Sequence, residues 1–235
     1  MKEKIFFQVN VNYAIFFLIA TLIMPSHFVL AANMEEFYPL QQENTWIYAK
    51  IEDNVNNEEI LKIKGEEEIG GVRTVRLFNG ENDYDCLAFD SQGIKKYKEK
   101  DEDQYLIPQS PIIIIPNIEV GEEVTYSRNF ISNSLDNQKI NEFKADVHIK
   151  LLSIEDVIIP AGKFSDCLKF SYINYKSTDS GHEEEKIVFW LVRGVGKVKE
   201  VSINIDNDRN KEVEISTETH ILISAIINGK KIGGQ

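Results

Sequence analysis

One polar stretch looks at first like half of a zinc site. Residues 181–186 read G-H-E-E-E-K, and a His followed by Glu is how the helix of a zinc protease begins. Such a helix needs a second His four residues after the first, so that both imidazoles lie on one face. After His182 that position is Lys186. The stretch therefore predicts the tip of a hairpin and no metal site.

A second stretch, starting at Asp206 with D-N-D-R-N-K, begins like a calcium-binding loop. Such a loop needs Gly at its sixth position for a sharp turn and a bidentate Glu at its twelfth. Here these positions are Lys211 and Thr217. We expect a polar β-turn instead.

Signatures of catalysis are missing as well. The chain has no G-x-S-x-G motif, and its Gly pairs are not followed by helical patterns that could hold a phosphate. Strand alternation places His148 between two charged residues and His220 beside Glu218, so both imidazoles are expected to face solvent. We therefore predict no catalytic residue, no cofactor and no metal, and a protein that is not an enzyme.

The elements that would position any site are strands. Turn signals recur every 8 to 14 residues, and no window has a helical stripe. Residues 159–201 form the centre of this pattern, because the strand around Trp190 is apolar on both faces and such a strand belongs in the middle of a sheet. The pattern predicts an all-β fold with at most a minor helix: an antiparallel meander in a strongly curled sheet, as a half-barrel or a barrel-like sandwich.

The first 31 residues predict a signal peptide. Lys2 and Lys4 precede an apolar run over residues 13–24, and Ala31 ends a small-residue cleavage site. The alternative is a retained anchor, but the run has 12 residues and a membrane span needs about 20. We expect an exported chain, periplasmic or extracellular, with no stable membrane span after cleavage. A single β-rich domain would follow over 32–228, with a flexible tail over 229–235.

The charge of the chain excludes two classes of partner. The formal net charge is −12, and the leader carries Lys2 and Lys4 against Glu3, so the remainder is near −13. Nucleic acids and anionic bilayers both need clustered cationic side chains. The acidic balance therefore argues against either as a partner.

Two cysteines, Cys86 and Cys167, leave two alternatives open. Disulfides form in exported proteins, and this one would close a long loop and stabilise by about 4 kcal/mol. Each cysteine lies in the middle of a predicted strand, however, and pairing needs Cα atoms within about 7 Å. Two separate buried thiols are the other alternative.

Four motifs occur in a recognisable order. They are F-Y-P-L-x-x-x-N-x-W-x-Y at 37–48, P-x-x-x-x-G-x-x-V at 116–124, P-A-G-K-F-x-x-C-x-K at 160–169 and W-x-x-x-G-V-G-x-V-K at 190–199. Together they resemble the signature of a family of exported bacterial domains of unknown function, in which Gly commonly stands where this chain has Glu43. Related exported domains are similar to the lipoprotein-carrier fold, a curled sheet with an apolar concave face. The resemblance implies a groove for an acyl chain or an apolar peptide.

The residues of these motifs have structural explanations, since Gly allows tight corners, Pro begins strands and large aromatic rings anchor a core. The predicted structural residues are Pro39, Trp46, Tyr48, Pro160, Gly162, Phe164, Cys167, Trp190, Gly194 and Gly196.

Three functions are therefore open. The first is an exported cell-envelope protein, not an enzyme, whose curled sheet binds an apolar or lipidic ligand. The second is a protein-interaction or scaffold module of the envelope that uses a strand edge or acidic loops. The third is a hydrolase with two carboxylates within about 10 Å. The sequence sets neither the ligand nor the partner nor the oligomeric state.

Overall fold

The computed structural model describes most of the chain after the leader. It covers residues 33–53, 55–101, 104–134, 139–177, 181–208 and 213–234. The predicted signal peptide over 1–31 lies outside the described residues. These described residues fall within one compact unit that begins at Ala31.

Strands make up nearly all of the described chain. One short helix, α1, spans Met34–Phe37. The strands are β1 Thr45–Glu52, β2 Val55–Ile69, β3 Val72–Asn79, β4 Asp83–Asp90, β5 Gly93–Asp101, β6 Gln104–Pro108, β7 Ile112–Pro116, β8 Glu123–Ser134, β9 Lys139–Ile159, β10 Gly162–Ser177, β11 Gly181–Val192, β12 Gly196–Asp208, β13 Glu214–Ile227 and β14 Lys230–Gly233.

These strands form one sheet that closes on itself. β1 to β6 and then β8 to β13 pair antiparallel in chain order, and β1 also pairs with β13, from Thr45–Ile226 to Glu52–Glu218. Among the described residues, twelve strands thus form a ring, while β7 pairs with β5 and β14 with β13. This confirms an all-β, barrel-like fold. Closure pairs the two strands that would otherwise be unpaired sheet edges.

The strand around Trp190 is buried on both faces, as its sequence indicates, but different groups cover the two faces. Phe189 and Leu191 point into the barrel and line its interior. Trp190 is on the outer face, between the ammonium groups of Lys169 and Lys199, which lie 5.0 and 4.9 Å from the ring centroid. Lysine side chains therefore cover a tryptophan that a second sheet would cover in a sandwich.

The segment that contains α1 closes one end of the barrel. Met34, Phe37 and Tyr38 are buried in the main hydrophobic core. Two hydrogen bonds hold the helix there: the Gly194 N–H donates to the Glu36 carbonyl at 2.7 Å, and the Met34 N–H donates to the side-chain Oδ1 of Asn117 at 2.9 Å. No helix within the described residues has the length and apolar character that a membrane crossing requires.

The C-terminal residues differ from the expected tail. We predicted a flexible tail over 229–235, but β14 spans Lys230–Gly233 and pairs with β13 from Ser224–Gly233 to Ile227–Lys230. Asn228 and Gly229 form the turn between them, with φ of 51° and 75°. Asn-Gly is the dipeptide that a two-residue hairpin favours, because both residues tolerate positive φ.

Of the two alternatives for the cysteines, the structure has free, buried thiols. β4, which carries Cys86, and β10, which carries Cys167, are nearly opposite each other in the ring, so the closed sheet keeps the two side chains apart. The Cys86 thiol lies 3.6 Å from Glu67 Oε2. Burial, and then the Glu67 carboxylate, raises the pKa of Cys86 to about 12, which suppresses the reactive thiolate.

Candidate functional site

The barrel interior contains two joined cavities, one of about 550 Å³ and one of about 490 Å³. Both volumes are in the range of small-molecule sites, about 300–1,000 Å³. Five residues line both cavities and are called here the junction residues. They are Lys96, Glu99, Tyr172, Glu185 and Asn204.

The larger cavity is apolar towards the end that α1 closes. Its apolar lining includes Tyr38, Leu61, Leu77, Ile115, Phe189 and Leu191, which also belong to or pack against the main core. The expected apolar concave face is therefore present, but it occupies only part of the interior. The remaining lining carries charged and polar side chains.

Lys96 is the centre of a three-residue charged group in this cavity. Its Nζ lies 3.0 Å from Asp85 Oδ1 and 2.9 Å from Glu99 Oε2. Residues three apart on a regular strand face opposite sides, but a register shift between Cys86 and Leu87 in the β4–β5 pairing adds one residue to β5. The bulge therefore lets both Lys96 and Glu99 face inwards.

The pKa values of these groups are pushed apart. Burial opposes the charge of Lys96, but its two carboxylate partners outweigh burial and raise its pKa. Lys96 lowers the pKa of Glu99, whereas burial raises the pKa of Asp85 despite the same lysine. Asp85 is therefore the carboxyl of this group that binds a proton more readily.

A second bulge produces a second ion pair of the same kind. In the β11–β12 pairing the register shifts between Trp190 and Leu191, so that Lys197 and Glu200 both line the cavity. Lys197 Nζ lies 2.6 Å from Glu200 Oε2. Burial opposes the charge of Lys197, but Glu200 outweighs burial and raises the pKa of the lysine.

His220 is buried, and the expectation that it faces solvent is wrong. It retains 6% of its surface exposed, its Nδ1–H donates to Glu59 at 2.6 Å, and Nε2 contacts Glu218. Ile215, on the opposite face of β13, is 64% exposed. Because the interior beside this part of β13 is a polar cavity, the polar face of the strand points into it.

The stabilising effect of His220 is expected to depend on pH. Burial opposes protonation of the ring, but hydrogen bonding and attraction from Glu59, with a hydrogen bond to Glu218, outweigh it and raise the pKa of His220 above 6.5. The stabilisation that His220 contributes should be complete below about pH 6.5 and should be lost as pH rises through the raised pKa that His220 has in the folded state. Each unit of elevation corresponds to about 1.4 kcal/mol.

Urea unfolding between about pH 6 and pH 9 measures this effect, as the difference in unfolding free energy between the unmodified protein and His220→Gln. The control is His148→Gln, which changes an imidazole whose side chain is 39% exposed. A difference that stays constant across this range for His220→Gln would contradict the expected result.

Among the described residues, Glu185 is the charged junction residue that forms no ion pair. Within the described part of the chain, no lysine, arginine or histidine nitrogen forms an ion pair with its carboxylate. Asn174, its cross-strand partner on β10, donates a side-chain hydrogen bond to it. Burial is the main cause that raises the pKa of Glu185.

Carboxylates outnumber cations in the interior. Among the described residues that line the two cavities, eleven are Asp or Glu and five are Lys. Even with His220 protonated, the formal charge of this lining is negative. A cavity lined by one sign of charge concentrates ligands of the opposite sign.

The first and last sequence motifs meet at the closed end of the barrel. Trp46 Nε1 donates to the Val195 carbonyl at 2.6 Å, and the Tyr48 hydroxyl donates to the Lys197 carbonyl at 2.6 Å. Gly196 has a φ of 102°, and a Cβ there would lie 3.1 Å from Trp46 Nε1. The motifs thus form a packing contact.

The other predicted structural residues lie at turns and in the core. Gly194 has a φ of 70° in the β11–β12 turn, and Gly162 begins β10 with a φ of 141°. Pro39 and Cys167 are buried, Phe164 is half-buried, and Pro160 is exposed at the β9–β10 turn. Glu43, where the resembling family has Gly, adopts a positive φ of 68°. That conformation favours Gly, which explains the family preference.

The two stretches that resemble metal sites lie on paired strands. His182 is exposed near the start of β11 and pairs with Asn207 of β12, and Asp206 pairs with Glu183. We expected a turn from Asp206, but β12 continues to Asp208. Residues 209–212 are outside the described part of the chain.

The interior residues were not identified from the sequence. Lys96 and Glu99, and likewise Lys197 and Glu200, are three apart on strands, and alternation assigns such residues to opposite faces. An i, i+3 pair of opposite charges on a predicted strand is the signal that could have indicated a bulge.

Known proteins were compared with this chain both in sequence and in structure. The sequence matches no family of known proteins and no curated protein. Two solved structures are similar in strand arrangement. A "putative exported protein with YmcC-like fold" from Bacteroides fragilis is 14% identical, with a TM-score of 0.48 over 79% of this chain and 96% of that one. A "putative lipoprotein" from Parabacteroides distasonis is 13% identical, with a TM-score of 0.43 over 80% and 97%. Likenesses of this size say nothing about activity, and the prediction of export rests on the leader of this chain.

Proposed function

We propose that this chain is an exported binding protein of the bacterial envelope, not an enzyme, that holds a small amphipathic ligand inside its barrel. The observation that carries the proposal is the pair of joined cavities, apolar at one end and charged at their junction. A ligand with an apolar body and one polar group matches a space that is apolar at one end and charged at the junction. The predicted signal peptide supports the export part of the proposal.

The state of the interior charges supports binding over catalysis. Lys96 and Lys197 are held by carboxylates in ion pairs, and both nitrogens of His220 contact carboxylates. A protonated imidazole held in this way cannot accept a proton. These contacts orient the side chains around the cavity and leave few free bases among its described lining residues.

Native mass spectrometry of protein isolated from its own host tests the proposal. We expect an adduct that disappears after extraction with organic solvent. Leu77→Trp, which fills the cavity from β3, should abolish the adduct, while Leu152→Trp on a residue that is 39% exposed should retain it. A clean mass without adduct in the unmodified protein would overturn ligand binding.

One observation favours a second candidate, a hydrolase. Asp85 and Glu99 both lie within 3.0 Å of Lys96 Nζ, so their oxygens are at most 5.9 Å apart (3.0 plus 2.9 Å). Their pKa values are shifted in opposite directions, which is the pattern of a general acid paired with a base. Hydrolysis of aryl glycosides that is lost in Asp85→Asn would favour this candidate over the binding protein.

A further inference from the structure

We propose that the ligand of these cavities is an alkyl amine, with its ammonium group between Glu185 and Asn174 and its chain in the apolar end of the larger cavity. The inference rests on the proposed function and specifies the chemical class of ligand. It follows from two acceptors, Glu185 at the junction and its cross-strand neighbour Asn174, together with the charge of the lining and the direction of β11.

The first acceptor is the Glu185 carboxylate. It lines both cavities and has no ion pair among the described residues. Glu185 is half-buried, and proteins compensate a carboxylate that is partly withdrawn from water with a bound cation or a proton.

The second acceptor is Asn174 Oδ1. This oxygen is buried and has no hydrogen-bond partner within the described chain. Asn174 is paired directly with Glu185 across β10 and β11 and lines the smaller cavity. A buried oxygen without a donor is destabilising, so the protein gains when a ligand donates to it. An ammonium group has three N–H donors and can serve both oxygens.

Among the described residues, no free cation at the junction is available to an anionic ligand. Lys96 is held between Asp85 and Glu99, and Lys197 is held by Glu200. A fatty acid would place its carboxylate beside Glu185 in a lining with excess negative charge, which is unfavourable in a site of low dielectric. A neutral alcohol would gain only the apolar contacts and one weaker hydrogen bond.

β11 provides the path for the chain. Ile187, Phe189 and Leu191 follow Glu185 on the same face and line the larger cavity. Six residues of strand span roughly 20 Å. An alkyl chain anchored at Glu185 therefore lies along these side chains towards the end that α1 closes.

Isothermal titration calorimetry with decylamine, decanol and decanoate tests the inference, because the three probes share one chain and differ in the head group. We expect decylamine to bind at least about tenfold more tightly than decanol, and decanoate to bind more weakly than decanol. Equal affinities, or the tightest binding for decanoate, would overturn the amine and leave the binding function intact. Failure of all three probes to bind would count against both.

Variants localise the effect to the junction. Glu185→Gln keeps the shape of the side chain and should weaken decylamine binding about tenfold without changing decanol binding. Glu58→Gln removes the same charge from an exposed residue of β2 and should change neither. Asn174→Ala, a second variant, should also weaken decylamine more than decanol. Unchanged decylamine affinity in both Glu185→Gln and Asn174→Ala, with folding verified by thermal unfolding, would overturn the proposed position of the ammonium group.

Discussion

Replacing Trp46 with alanine is expected to lower the free energy of unfolding by about 3–5 kcal/mol, the range for a buried large aromatic side chain. The ring is 1% exposed and stacks on Tyr38 with 5.9 Å between centroids. Its loss would open a cavity where β1 meets the β11–β12 turn and leave the Val195 carbonyl without its donor. Because domains are stable by only about 5–15 kcal/mol, the variant should be close to unfolding.

Urea unfolding followed by circular dichroism measures this loss. Trp46→Phe separates the loss of packing from the loss of the hydrogen bond, since phenylalanine fills most of the space but cannot donate to the Val195 carbonyl. We expect Trp46→Phe to cost less, about 1–3 kcal/mol, the range for a buried acceptor left without a donor. A loss below about 1 kcal/mol for Trp46→Ala would contradict a ring buried in the core.

Gly93→Ala is expected to lower the free energy of unfolding by about 2–5 kcal/mol, because it adds both backbone strain and overpacking. Gly93 has a φ of 129°, and a Cβ there would lie 2.1 Å from the Ile115 carbonyl oxygen and 2.9 Å from Pro116 Cα. Both contacts are with backbone, so no side chain can rotate away. β7 would have to separate from β5, with which it pairs.

Gly70→Ala is the matched control. Gly70 also has a positive φ, 61°, but a Cβ there would meet nothing within 4 Å. Gly70→Ala should therefore lower the free energy of unfolding only by the backbone strain, about 1–2 kcal/mol. Chemical denaturation of both variants therefore isolates the close approach of β5 and β7, and equal losses would contradict it.

The same substitution connects stability to the cavity. Ile115 of β7 lines the larger cavity, and Ile112 lines the smaller one. If β7 moves away from β5, the wall of both cavities moves with it. Gly93→Ala should therefore weaken decylamine and decanol to a similar extent, unlike Glu185→Gln.

Local features could be predicted from the sequence because they depend on neighbouring residues. Gly70-Gly71 predicts a hairpin turn, and both residues have positive φ in the structure. Alternation on β9 predicts an inward face with Val147 and Ile149, and both are buried. The same reasoning missed β14, although Asn228-Gly229 carries the hairpin signal, because we assumed that the polar C-terminus was a tail.

Which face of a strand points into the barrel could not be predicted where the interior is polar. If the apolar face of β13 were the buried one, Ile215 would lie inside the barrel. Instead, His220 and Glu218 line the cavity. Hydrophobic alternation identifies the buried face only if the space opposite is apolar. Here β2 supplies Glu59 opposite His220, and that contact joins residues distant in sequence.

By itself, the sequence determined the all-β class, the antiparallel meander and the turn positions, because backbone conformation and side-chain alternation are local properties. Only the tertiary structure decided that β1 closes on β13 and that two bulges turn Lys96 with Glu99, and Lys197 with Glu200, to the interior. It also decided that Glu185 and Asn174 are paired across β11 and β10, where no cation of the described residues forms an ion pair with Glu185. The physical reason is that desolvation and charge pairing depend on what lies across the barrel, which distant parts of the chain supply.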